Sequence, residues 1–189
     1  MIRPTETDEA DVKIVHPEVS EFGLDWVVLQ VTRERFAVNT SQDAFFEASR
    51  DLVLGTFELL GHTPLKAMGI NMHEHRRMNS TAAWHRFGHA LAPKARWQEL
   101  LTEPGMAHLT MQGARTDGYK GYVQVTVQPS RKISNGVFLD VNDHYAAIEE
   151  SGADPGGAGA AMEILRENWQ TSRERSLDIM ERLVKNSGG

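Results

Sequence analysis

The stretch Leu109-Thr110-Met111-Gln112, the Asp117-Gly118 pair and the run Gly121-Tyr122-Val123-Gln124-Val125-Thr126-Val127 decide the fold class. In both runs apolar side chains alternate with polar or hydroxyl-bearing ones. That period of two is what a strand needs when one of its faces is buried and the other is wet. An Asp-Gly pair between two such runs is the turn of an antiparallel hairpin. A third strand, Val137-Phe138-Leu139-Asp140-Val141, follows the loop at 129–135 and Gly136, so these segments predict a three-stranded meander.

Working outward, Trp26-Val27-Val28-Leu29-Gln30-Val31-Thr32 is apolar on both faces and reads as a central strand. Arg33-Glu34-Arg35 connects it to a second strand, Phe36-Ala37-Val38-Asn39-Thr40. Ser41 is placed to cap a helix, with Asp43 in its first turn. Phe45, Leu52, Val53, Phe57 and Leu60 then recur near the helical period, and Gly61 is the expected stop. Residues 65–73 read as a strand in which Gly69 marks a bulge or a close backbone approach. Ser80 caps a predicted helix over 81–91 that Pro93 ends, and a short helical piece is expected at 97–101. Beyond Ala153-Asp154-Pro155-Gly156-Gly157-Ala158-Gly159, the residues Ala161, Leu165, Trp169, Leu177, Met180, Leu183 and Val184 line one face of a long helix. The pattern predicts an α+β fold: a mainly antiparallel sheet of about six strands, helices packed on one face, and a long C-terminal helix. The expected organisation is a mobile acidic tail at 1–11, an α+β domain at 12–150, a Gly-rich linker at 151–159 and an amphipathic helix at 160–186. That helix packs on the domain or on a partner.

With 189 residues, 40% apolar and 24% charged, the chain has the composition of an ordinary globular protein. It has no cysteine, which removes disulfides, thiolate metal sites and thiol nucleophiles. No apolar run approaches the length of a membrane span, and Met1-Ile2-Arg3-Pro4-Thr5-Glu6 is no signal peptide, so a cytoplasmic protein is expected. The net charge of −6 disfavours nucleic acid and anionic lipid as partners. Within residues 71–100, however, Arg76, Arg77, Arg86, Lys94 and Arg96 face only Glu74 and Glu99. That local excess of +3 leaves −9 for the remainder. Such a patch suits an anionic ligand or an acidic partner, with Arg76, Arg77, Arg86 and Arg96 as its anion-binding candidates. It also suits a plain solvated surface.

The histidines are the first candidates for chemistry. His73 and His75 share one face if they lie on a strand, and His85 and His89 share one face if they lie on a helix. Together they could hold zinc or nickel, although Glu74 would face away and the nearby arginines disfavour a dication. Imidazoles bonded to backbone or water are the simpler expectation, with no cofactor. Asp140, Asn142 and His144 would also share a face, suited to acid–base work or a hard cation, while Asp143 is expected to end the strand and cap a turn. Gly157-Ala158-Gly159 before a helix could cradle phosphate, but lacks a preceding strand and a third glycine, and reads as a linker. No nucleophile elbow, Walker loop or His-Glu-x-x-His motif is present.

Several segments carry a resemblance to a known family. They include Ile14-Val15-His16-Pro17-Glu18-Val19, Leu60-Gly61-His62-Thr63-Pro64-Leu65, Gly69-Ile70-Asn71, Gly88-His89-Ala90-Leu91-Ala92-Pro93-Lys94, Pro129-Ser130 and Val141-Asn142-Asp143-His144-Tyr145. With Trp26–Thr32 they resemble a family of uncharacterised bacterial proteins, to which no reaction is assigned. The resemblance implies that Asn71, Lys94, Asn142, Asp143 and His144 form one functional surface. It also implies an extra N-terminal strand segment that this chain lacks. Residues and resemblance together predict a non-enzymatic binding or assembly module, homo-oligomeric or part of a larger bacterial complex. The alternatives are a metal-assisted hydrolase built on the histidines, and an anion or nucleic-acid binder built on the 71–100 patch.

Overall fold

The computed structural model describes residues 2, 5, 6, 10–146 and 158–186. Among them the chain forms eight strands and three long helices, an α+β fold with antiparallel sheets. The strands make two four-stranded sheets, which corrects the expected single sheet of about six. The chain divides into two compact units: residues 1–64 with 154–166, and residues 65–153 with 167–189. The expected 12–150 domain spans parts of both. Most of the 151–159 linker, including Gly157, and most of the 1–11 tail lie outside the described residues.

The first unit is a meander, β1 (Asp11–His16), β2 (Val19–Gly23), β3 (Val28–Thr32) and β4 (Phe36–Asn39), in sequential order. Its register sets Phe22, Leu29 and Val38 on one face with Ser20, Val31 and Phe36. Helix α1 (Phe46–Leu59) meets that face through Phe57, whose ring lies edge-on to Phe36 at 5.5 Å. Ser41 does not cap it. A 3-10 turn at Asp43–Phe45 precedes α1, whose first turn carries no side-chain cap. The Phe45 ring is instead stacked on Trp26 at 5.1 Å.

The second unit holds β5 (Ala67–Arg77), α2 (Thr81–Leu91), β6 (Leu109–Ala114), β7 (Gly121–Pro129) and β8 (Gly136–Ala146), in sheet order β5-β8-β7-β6. The β6-β7-β8 meander is the one the alternation predicts. Strand β5 pairs with β8 over eleven residues, four past the expected end at His73. The sheet's inner face carries Val127, Val137, Leu139 and Val141, all nearly inaccessible, and packs with Ala83 and Phe87 of α2 and Met180 and Val184 of α3 (Gly159–Asn186). Burying each of these side chains other than Ala83 stabilises the fold by about 1.5–3 kcal/mol. Helix α2 starts where expected: the Ser80 side chain accepts a hydrogen bond from the Ala83 N–H at 3.0 Å. The Trp84 indole N–H donates to the Gly136 carbonyl at 3.1 Å, tying helix to sheet.

Helix α3 has 28 residues, about 42 Å. Its buried positions include Ala161, Met162, Leu165, Met180 and Val184, but also Asn168, Ser172 and Ser176. The small hydroxyl side chains interrupt the apolar stripe, and Leu177, expected in it, is exposed. The segment at 97–101 is a turn rather than a helix.

Candidate functional site

Register decides which side chains share the outer face of the second sheet. Paired residues of antiparallel strands project to the same side. Asn71, Asn142, Gln124 and Gln112 therefore form one row of amides across all four strands. His73, Asp140 and Thr126 form the next row, and His144 lies beside Tyr122 with rings stacked at 4.4 Å. The Phe138 ring sits 4.9 Å from His75, whose Nδ1 is 2.9 Å from the Ser130 hydroxyl. Burial lowers the His75 pKa, assisted by Lys132 and His73, and burial with Arg115 lowers that of His144. Burial raises the Asp140 carboxyl, with His73 pulling the other way. Gly69 lies in the regular β5–β8 register, and a Cβ there would come within 3.2 Å of the Asn71 and Asn142 side-chain oxygens, so the close neighbours are side chains rather than the bulge or close backbone approach expected from sequence. Asn71, Asn142 and His144 thus share the outer face. Lys94 lies in the segment after α2, and Asp143 points to the opposite face.

The four imidazoles of the zinc reading are not brought together. His73 and His75 project from the outer face of the sheet, whereas His85 and His89 are exposed on α2, whose buried residues pack on the inner face. Among the described residues no group of three or more His, Asp or Glu could hold a metal ion. The arginines of the basic segment are likewise dispersed. Arg76 pairs with Glu74 at 2.7 Å, while Arg77 ends β5, Arg86 is exposed on α2 and Arg96 lies in the following turn.

Asp143 does not end a strand. It lies within β8, inaccessible, and pairs with Arg115 and, at 2.7 Å, with Arg175 of α3. Asp117 of the β6–β7 turn bonds both arginines, Arg175 at 2.9 Å. Burial alone would raise the Asp117 carboxyl, but the hydrogen bonds from Arg115 and Arg175 outweigh it and hold the pKa at about 2. The Arg115 guanidinium lies 3.6 Å over the Tyr145 ring, and the Tyr145 hydroxyl meets the Ser172 hydroxyl at 2.8 Å. Two carboxylates and two guanidiniums make a neutral clamp between the meander and α3. Its charges are mutually satisfied, so it is built to hold the helix rather than to turn over a substrate. No sequence motif marks it, because its members are scattered over sixty residues of chain.

A groove of about 510 Å³ lies along α2 and the segment after it. The half-buried Trp84 supplies apolar lining above the core residue Phe87, and His85, His89 and Lys94 supply imidazoles and a cation. Glu103, whose backbone is held at φ 50°, lines it with the adjoining Pro104-Gly105. A non-glycine residue in that region stores strain of about 1–3 kcal/mol, a cost found where a loop shape serves a purpose. The turn that supplies Lys94 and Gln98 also carries Trp97, Leu100 and Leu101, which are 52, 73 and 54% exposed. Its shape is fixed by hydrogen bonds from the Trp97 N–H to the Lys94 carbonyl and from the Leu101 N–H to the Trp97 carbonyl, both 2.8 Å. Three large apolar side chains are thus exposed within five residues, beside the groove. No family model, no curated protein and no solved structure matches this chain.

Proposed function

We propose that the protein is a non-enzymatic binding and assembly module of a bacterial complex, working in the cytoplasm. Its docking surface is the α2 groove with the turn at residues 94–101. The observation that carries this reading is the exposure of Trp97, Leu100 and Leu101 beside His85, His89 and Lys94. Aromatic and aliphatic anchors next to a basic rim fit an amphipathic segment of a protein partner that presents apolar side chains and carboxylates. The bacterial setting rests on the family resemblance. No helix among the described residues is long and apolar enough to cross a membrane, which agrees with a partner met in water.

The test is native co-purification on the immobilised full chain, compared with a Lys94→Glu/Leu100→Glu variant. Leu100 is 73% exposed and Lys94 is half-buried in the turn after α2, so neither position belongs to the core. The wild type should retain a partner that photo-cross-links to position 101 and that the variant loses. A partner held equally by both, or cross-linked elsewhere, would defeat the reading.

A further inference from the structure

Strand β1 is exposed along its whole length, and three of its six residues are apolar. Val12, Ile14 and Val15 are 54, 47 and 72% exposed. An exposed apolar edge strand is a template for another strand. What distinguishes β1 is its irregular pairing with β2, which shifts between Val12 and Ile14. Val12 lies opposite Phe22 and Val15 opposite Ser20, so both project from the apolar face of the sheet. Asp11 lies opposite Gly23 and His16 opposite Val19, so both project from the other face. In a regular strand, residues three or five apart would point to opposite faces. The bulge removes that mismatch.

The consequence is self-complementarity. A twofold axis perpendicular to the sheet, passing between Lys13 and Ile14, sets Val12 against Val15 of a second copy and Asp11 against its His16. Each pair occurs twice, and in each pair the two side chains share a face. Apolar meets apolar, and acid meets imidazole, the pairings that stabilise antiparallel strands. Lys13, the kind of residue that guards an edge, is turned to Glu21 of its own chain at 3.5 Å. His16 Nδ1 accepts the Glu18 N–H at 3.2 Å, which leaves Nε2 as its outward nitrogen. We infer that β1 pairs antiparallel with β1 of a second copy, joining two four-stranded sheets into one of eight strands. The opposed valines extend the apolar row of Phe22, Leu29 and Val38 across the junction. This deepens the assembly reading by naming a second copy as one partner. It uses the first unit alone, so loss of a partner from the groove variant leaves it untouched.

The chain has no cysteine, so single thiols report on register directly. Full-length Val12→Cys and Val15→Cys chains, mixed and oxidised, should give a disulfide dimer, and either chain alone should cross-link far more slowly. In sedimentation equilibrium the wild type should self-associate as concentration rises. Val15→Lys should keep its circular dichroism and thermal midpoint but remain monomeric. Asp11→Lys, which sets a cation against imidazole, should weaken the dimer as well. A wild type that stays monomeric at all concentrations would overturn the inference. So would Val15→Cys alone cross-linking as fast as the mixture, or a Val15→Lys or Asp11→Lys chain that dimerises like the wild type.

Discussion

Replacing Asp143 by asparagine keeps the shape of the clamp and removes one charge from its centre. The Arg115 side chain is inaccessible and Arg175 is 24% exposed, so water cannot take over from the missing carboxylate at Arg115. Breaking a buried ion pair from one side costs about 3–5 kcal/mol, because the partner charge is left uncompensated. Asp117 remains to bond both arginines and softens the loss, so the lower end, about 3 kcal/mol, is expected. Against a total stability of about 5–15 kcal/mol that is a large fraction. Urea unfolding followed by tryptophan fluorescence should show it. With a slope of about 2 kcal/mol per molar, the midpoint should fall by about 1.5 M. The cause is checked by a cycle with Arg175→Met. If the uncompensated guanidiniums are responsible, the double variant loses clearly less than the sum of the singles. A fall below about 1 kcal/mol for Asp143→Asn, or strict additivity in the cycle, would refute the reasoning.

Other outcomes follow from single contacts. The Asp117 carboxyl is held at about 2, below its ordinary value of 3.8. The stability it contributes, about 1–2 kcal/mol after allowing for its partial exposure, is therefore complete above pH 4 and lost as the pH falls towards 2. Asp117→Asn should flatten that acid limb in pH-dependent urea titrations. Gly121→Ala should cost more than about 3 kcal/mol by calorimetry, since the backbone there has φ 133° and a Cβ would strike the His144 carbonyl. Ser80→Ala should cost about 1 kcal/mol through loss of the bond to the Ala83 N–H, with amide exchange faster in the first turn of α2 and unchanged in β8.

What could be read from the chain, and what could not, divides along physical lines. The meander at 109–146 and the helix at 81–91 are legible because their signals are local: a period of two, an Asp-Gly turn, a Ser cap. Strands β1 and β2 escape the pattern because Asp11-Val12-Lys13-Ile14-Val15-His16 is exposed throughout and bulged, so no buried face enforces an alternation. The two-sheet division is equally hidden, since alternation says that a strand has a buried side but not which strand it joins. His73 and His75 lie on one strand, which runs four residues past its expected end at His73, and His85 and His89 lie on one helix. Their separation depends on which face of the sheet the helix covers, a tertiary fact. Asp143 next to Asn142 and His144 reads as part of one polar cluster, yet alternation sends it to the core, and only Arg115 and Arg175, distant in sequence, make that burial tolerable. The groove has no local signature in sequence; the excess of positive charge at 71–100 covers only part of its lining. Trp97, Leu100 and Leu101 fall in the segment expected to be a short helical piece, and they are exposed on a turn.

The most direct measurement is amide chemical-shift mapping of the full chain against the co-purified partner. The account predicts that the perturbed residues cluster at His85, His89, Lys94, Trp97, Leu100 and Leu101, with the second sheet's outer face unaffected. Perturbations concentrated at His73, Gln124, Asp140 and His144, with the 94–101 turn silent, would contradict it.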